Sequence, residues 1–310
     1  MKPFKPLERR MSKRFFDLCH EFGYLAGLPL VQLQDDGDGA WSAPMALDGV
    51  GVELVCEADA AERFYSRVHF GPLPPQDEEG QWGDLLEANF LLLDPAGAAF
   101  SRDPQTHDVV LQQPWPAETQ PQTMLRLLAT QCDVARHWRA GSLAAPHLPA
   151  QEQRMASPAR PAPDAGQGTS TAFTQLCERF SALAGLPGPA MQSLPSGVSS
   201  FMLEARGVQV QVSHVASMPA WVQMHADIGA AYSFHPRAAT ELAEANAWLL
   251  NQDNGAVICR RPITRDYLLR TRLALDARTP APRLLASIRA QVSAVLSIRE
   301  NLVAESVGAV

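Results

Sequence analysis

LCHEFGYLAGLP, residues Leu18–Pro29, is written again as LCERFSALAGLP at Leu176–Pro187, an offset of 158 positions. A recurrence at that period is too long for a solenoid unit and suits a whole small domain. The chain is therefore expected to be one domain written twice.

Working outward from the motif, Phe15, Leu18, Cys19, Phe22 and Leu25 are spaced at i, i+3, i+4, i+7 and i+10, and Phe173, Leu176, Cys177, Phe180 and Leu183 repeat the stripe. That spacing predicts an amphipathic first helix in each copy. Ser12 and Ser170 are candidate N-caps, and Gly27-Leu28-Pro29 and Gly185-Leu186-Pro187 supply the glycine and trailing proline that stop a helix. Next comes period two: Val50, Val52 and Leu54 answer Val208, Val210 and Val212, while Phe64, Ser66, Val68 and Phe70 answer Val222, Met224, Ala226 and Ile228. Such alternation marks half-buried antiparallel strands.

A second helix follows, with Leu85, Leu86, Asn89, Leu92 and Leu93 on one face and Leu242, Asn246, Leu249 and Leu250 on its counterpart, where the offset slips to 157. Two short strands around a turn come after it, pairing Gly97 with Gly255, Phe100 with Ile258, Arg102 with Arg260, Pro104 with Pro262 and Asp108 with Asp266. Each copy closes with a helix, carried by Leu125, Leu128, Cys132 and Ala135 and by Leu285, Ile288, Val292 and Val295. The predicted order is helix, about three strands, helix, two strands, helix, twice over.

Between the copies lies AGSLAAPHLPAQEQRMASPARPAPDAGQGTST, rich in Ala, Pro, Gly, Ser and Gln and without an apolar period. It reads as a flexible linker. The expected organisation is one domain over 1–140, a linker over 141–171 and a second domain over 172–310. The length and an ordinary balance of 46% hydrophobic and 19% charged residues fit two globular domains.

Residues 1–140 hold 12 Lys+Arg against 21 Asp+Glu, whereas residues 172–310 hold 12 against 10, so nucleic acid is not an expected partner of the acidic first half. The opening MKPFKPLERRMSKRFF has basic residues with no apolar run behind them, and no segment approaches the about 18 apolar residues of a membrane span. A soluble cytoplasmic protein is expected.

That order of elements, with an early Gly-Leu-Pro, a mid-domain Leu85-Leu86-x-x-Asn89 helix and a strand pair after it, resembles the class I chaperones of bacterial type III secretion, the CesT or Tir-chaperone family. The likeness runs over residues 11–140 and more loosely over 170–303. It implies an α+β domain that works as a homodimer, without catalysis or cofactor, and holds the N-terminal segment of an effector protein in a secretion-ready state. It also implies client-binding surfaces around Val31, Leu33, Trp41 and Met45, with Phe201 and Met202 as their looser equivalents. A plainer reading of Trp41 and Met45 is that they complete the packed face of the sheet.

This chain departs from the family pattern in carrying the domain twice, in a second copy that is not acidic, and in Gly71-Pro72-Leu73-Pro74 becoming Gly229-Ala230-Ala231-Tyr232. The duplication looks like a dimer fused into one polypeptide.

A single sheet with three helices leaves one apolar helix face uncovered, and burying it against a like copy is the common solution. The expected inter-copy face is the second helix of each repeat: Leu85, Asn89 and Leu92 against Leu242, Asn246 and Leu249. A buried Asn pair across a pseudo-twofold fixes register. The alternative is an Asn bonded to the backbone of its own repeat.

Nothing in the sequence assembles a catalytic or metal site. Gln34-Asp35-Asp36-Gly37-Asp38-Gly39 looks like the start of a calcium loop, but Met45 falls where the bidentate Glu belongs. Gly37 and Gly39 lack the third glycine of a dinucleotide fingerprint. The eight histidines show no ligand spacing and are not shared between copies, His69 matching Asp227 and His225 matching Arg67. Ser142 lacks a nucleophile elbow, and the five scattered cysteines read as reduced core thiols, Cys19 and Cys177 on the helix stripe. The acidic run Asp77-Glu78-Glu79 reads as a solvated loop before a helix.

The expected function is therefore binding. The rival is a scaffold of a secretion apparatus that contacts a folded partner or a secretion ATPase.

Overall fold

The two stripes that open the repeats each end up over an antiparallel sheet, and the strands of each sheet come from one repeat. The computed structural model describes residues 13–29, 31–35, 40–57, 64–92, 97–116, 118–140, 165–188, 190–193, 197–250, 255–276 and 279–307. The chain divides into two compact units, Met1–Pro74 with Ala96–Leu148, and Pro75–Pro95 with Pro149–Val310. The division does not follow the repeat boundary, because the middle helix of the first repeat belongs to the second unit.

In the first unit, helix α1 (Lys13–Leu25) buries Phe15, Leu18, Cys19 and Phe22. It stops where Gly27 turns left-handed at φ 65°, with Leu28 N–H donating to Gly23 O at 2.9 Å. That six-to-one closure needs a residue without a Cβ penalty at the turn. The sheet is built from β1 (Gln34–Asp35), β2 (Ala40–Leu47), β3 (Val50–Glu57), β4 (Phe64–Gly71), β5 (Ala99–Arg102) and β6 (Val109–Trp115) in the order β1-β2-β3-β4-β6-β5. Helix α3 (Pro121–Arg139) lies across β3 and β4 and packs against α1. Helix α2 (Glu78–Leu91) lies in the second unit.

The second unit repeats this frame. Helix α4 (Ala165–Ala184) buries Phe173, Leu176, Cys177 and Phe180 and ends with Gly185 at φ 66° and Leu186 N–H on Ser181 O. Strands β7 (Gln192–Ser193), β8 (Val198–Ala205), β9 (Val208–Val215), β10 (Trp221–Ala230), β11 (Val257–Arg260) and β12 (Asp266–Ala274) run in the order β11-β12-β10-β9-β8-β7. Helix α5 (Ala238–Leu249) precedes β11, and helix α6 (Ala281–Val307) crosses β9, β10 and β12. Both expected sheets are thus present, each extended by a two-residue strand at one edge.

An arginine clamp, absent from the sequence reading, ties the last helix to the sheet in both units. Arg139 donates from Nε to Phe70 O at 3.2 Å, from Nη2 to His69 O at 2.7 Å and from Nη1 to Gly49 O at 3.3 Å. Arg299 does the same to Ile228 O at 2.7 Å, Asp227 O at 2.8 Å and Gly207 O at 3.2 Å. A ladder irregularity falls at the same point of β4 and β10, between His69 and Gly71 and between Asp227 and Gly229. A bulge leaves carbonyls outside the ladder, and the planar guanidinium fork satisfies several at once.

The structure corrects several expectations. Leu25 and Leu183 are 37% and 50% exposed, each standing in the last turn of its helix. In the first turn of the closing helices Met124 and Leu284 are fully buried, one position before the half-buried Leu125 and Leu285. Ser170 is not an N-cap, since α4 begins at Ala165, inside the segment read as linker. Extending a helix already nucleated by packing adds one hydrogen bond per residue. Ser12, the calcium-like residues Asp36, Gly37, Asp38 and Gly39, Leu93, Ser142 and linker residues 141–164 lie outside the described residues.

Replacing the clamps tests their weight. Arg299→Ala is expected to destabilise the second unit by about 2 kcal/mol and the more exposed Arg139→Ala the first by about 1 kcal/mol. Urea unfolding measures both, and Arg→Lys at either site recovers less than half, because one ammonium cannot span three carbonyls.

Candidate functional site

Helix α2 explains why the second unit reaches back into the first repeat. Its sequence, EEGQWGDLLEANFL, has no single apolar face, and such a helix is stable only when covered on more than one side. Trp82, Leu85 and Leu86 are fully buried, and the helix lies against α5 and β11. Gly83 makes the approach feasible, since a Cβ there would collide with the Arg260 guanidinium. Arg260 Nη2 instead reaches Asp84 at 3.1 Å and Glu87 at 3.0 Å on α2.

The acidic run is not a solvated loop. Asp77 is the N-cap, with its side chain accepting from Gly80 N–H at 3.3 Å, and Glu78 and Glu79 form the first turn. The Glu79 carboxylate accepts from Ala239 N–H at 2.6 Å, Thr240 N–H at 3.1 Å and Thr240 Oγ1 at 2.7 Å. It therefore caps α5, whose own N-cap residue Arg237 makes no side-chain cap. An anion on free N–H groups at a helix start is the favoured placement.

Asn89 and Asn246 meet at one peptide. Asn246 accepts Ile258 N–H at 2.6 Å and donates to Ile258 O at 3.0 Å, and Asn89 Nδ2 donates to the same oxygen at 3.5 Å. A carbonyl oxygen has two lone pairs, so both donations are compatible. Both side chains are buried, as are Leu242 and Leu249, while Leu92 is half-buried. Asn246 thus bonds the backbone of its own repeat, and Asn89 bonds the backbone of the other.

The residues singled out for client binding differ in exposure. Val31 is buried against Gly23, where a Cβ would stand 2.7 Å from Val31 Cγ2, and Phe201 is buried with its ring 6.0 Å from that of Phe180. Both are core residues. Leu33, Trp41 and Met45 are half-buried. Trp41 is paired with Cys56 and Met45 with Val52, which places both on the helix-covered face of the first sheet. Met202 is 53% exposed and, one residue after Phe201, faces the other side of the second sheet. Sequence reading missed Phe16 and Tyr24 on α1, exposed apolar side chains off the buried stripe.

Titration behaviour points away from nucleophilic chemistry. Burial pushes Cys19, Cys177 and Cys259 up to about 12 and Cys132 up to about 11. Among the described residues no three His, Cys, Asp or Glu side chains cluster to hold a metal ion, and no helix is long and apolar enough to cross a membrane.

Residues 18–139 match the model of the Tir chaperone protein (CesT) family. Among solved structures, the chain is similar to a chain of the ExsC–ExsE complex, at 18% identity over 43% of this chain and 95% of that one, with a TM-score of 0.36. A chain of the HopA1–SchA chaperone–effector complex is similar at 18% identity over 42% of this chain and 99% of that one, with a TM-score of 0.33. No curated protein matches the sequence.

Two measurements check the site. Asn246→Ala strands the buried Ile258 N–H and leaves its carbonyl only the longer bond from Asn89, and is expected to cost about 2–3 kcal/mol, against about 1 kcal/mol for Asn89→Ala, read as urea unfolding or as amide exchange of β11. His225, held down at about 3 by burial and then by the charges of Arg270 and Arg261, starts from an ordinary value of 6.5. Between those values the unfolded chain binds the extra proton, so stability falls as pH falls through the window, and His225→Gln flattens that part of the curve.

Proposed function

We propose that the chain is a type III secretion chaperone in which one polypeptide supplies both halves of a pseudo-dimer, and that it keeps an effector's N-terminal segment extended in the bacterial cytoplasm. The observation that carries this reading is the match of residues 18–139 to the Tir chaperone family. The second repeat supports it through the same sheet order, helix stop and arginine clamp. The domain scheme is two chaperone modules, over 1–140 and 172–310, joined by the 141–171 segment, with the α2–α5 pairing standing where two separate chains would meet.

Within each unit the sheet edges differ in what they offer a client strand. The β11 edge is closed by Asn246 and Asn89, whereas β1 and β7 are two-residue strands with exposed side chains. An extended client segment is assigned to those edges, with apolar side chains beside Leu33, Trp41 and Met45 and over the exposed residues of α1 and α4.

Co-expression with the effector encoded beside the gene tests the proposal. The expected result is a stable complex in which the client's N-terminal segment is protected from protease yet shows no cooperative melting of its own. A complex that forms only with a folded client domain, and leaves the N-terminal segment open to cleavage, contradicts it.

A further inference from the structure

One cross-strand row on the outer face of the second sheet holds a cation without its anion. Gln211, His225 and Arg270 stand side by side on β9, β10 and β12, since His225 pairs with Gln211 on one flank and with Arg270 on the other. Residues directly opposite in neighbouring strands project from the same face. Arg270 is 7% exposed and has no hydrogen bond or ion pair among the described residues. Its Nε and the Nε2 of His225 are both closed off from solvent without a partner. A buried guanidinium left unpaired is costly, and two adjacent orphan nitrogens call for a common partner. Access is provided by a recess of about 300 Å³ lined by His225, Gln211 and the exposed Met202.

The charges acting on this row are positive. Burial, then Arg270, then Arg261 hold His225 down at about 3, and burial brings Arg270 itself down to about 10, with Arg272 adding to the effect. The carboxylates of the recess already have cations of the chain beside them. Arg261 pairs with Asp266 at 3.6 Å, and Arg299 and Arg261 both act on Asp227, two residues along β10 from His225.

The first repeat shows what the row lacks. At an offset of 158 its members are Glu53, Arg67 and Gln112, and Arg67 Nη1 meets Glu53 at 3.4 Å. A carboxylate on β3 thus neutralises that row from within. In the second repeat the arginine has moved one strand over and the glutamate has become Gln211, so the cation remains and its carboxylate is gone.

We propose that the recess at His225 seats a carboxylate, the side chain of a glutamate or aspartate in an extended bound polypeptide, which accepts from Arg270 and His225 and replaces the charge that Glu53 supplies in the first repeat. Two carboxylate oxygens offer about four lone-pair sites, enough for a guanidinium and a ring N–H together. That the acidic residue belongs to an effector segment rests on the chaperone reading; that the row takes a carboxylate does not.

The full chain is titrated without client, following the Nε–H signal of Arg270, which is assigned by its absence from Arg270→Gln. The probes are Nα-acetyl-glutamate amide, the glutamine analogue, which keeps the shape without the charge, and inorganic phosphate. A saturable shift is expected with the glutamate probe, with the other two at least about tenfold weaker. Gln211→Glu, which returns the first repeat's carboxylate to the row, is expected to abolish the response and raise the unfolding midpoint. Arg270→Gln, which installs the first repeat's residue, is expected to leave the midpoint unchanged or raised, because it removes an unpaired buried charge. No shift with the glutamate probe, an equal shift with the glutamine analogue or phosphate, undiminished binding by Gln211→Glu, or a midpoint lowered by Arg270→Gln overturns the assignment. Because no client is present, each result stands apart from the outcome of effector co-expression.

Discussion

The peptide group of Ile258 must find hydrogen-bond partners away from water, and most of what is distinctive in the second unit follows from how it does so. Ile258 lies in an edge strand, where alternate backbone groups turn away from the neighbouring ladder. Asn246 takes both of those groups and Asn89 shares the carbonyl, so two side-chain amides stand where another strand would otherwise be recruited. The edge is closed and α2 is held to β11 by the same contacts. Glu79 at one end of α2 and Arg260 along its side fix its direction. A helix of the first repeat thereby completes the hydrophobic core and the polar accounts of the second.

Local chemistry made the repeated frame legible in the sequence. The stripe from Phe15 to Phe22, the glycine stops at Gly27 and Gly185, and the alternation in β3, β4, β9 and β10 are each set by neighbours close along the chain. The destination of α2 was not legible, because Leu85 and Asn89 announce a face to be buried without naming what buries it. Asn89 and Asn246 were singled out as alternatives between own-repeat and cross-repeat bonding, and the structure gives one of each. The arginine clamp escaped notice because Arg139 and Arg299 recur at an offset of 160, out of step with the strands they bind.

Binding residues were the hardest to read. Val31 and Phe201 are apolar residues close to strand starts, and only tertiary packing puts them inside. Met202 differs from Phe201 by one step of a period-two element, which suffices to place it on the opposite face. The two outer sheet faces have diverged where the frames have not: Arg67 and Glu53 pair at 3.4 Å on one, while on the other His225 stands where Arg67 would and faces Arg270 across the ladder. The two repeats keep the same arginine clamp and glycine stop while the residues on their outer sheet faces differ.

The claim on which this account turns is that α2 folds as part of the second unit. Native-state hydrogen exchange at increasing urea measures it directly, by asking with which strands the amides of residues 78–91 open. The account predicts that they open together with those of β11 and α5. Opening in step with β3 and β4, or exchange as fast as an unprotected peptide, would contradict it.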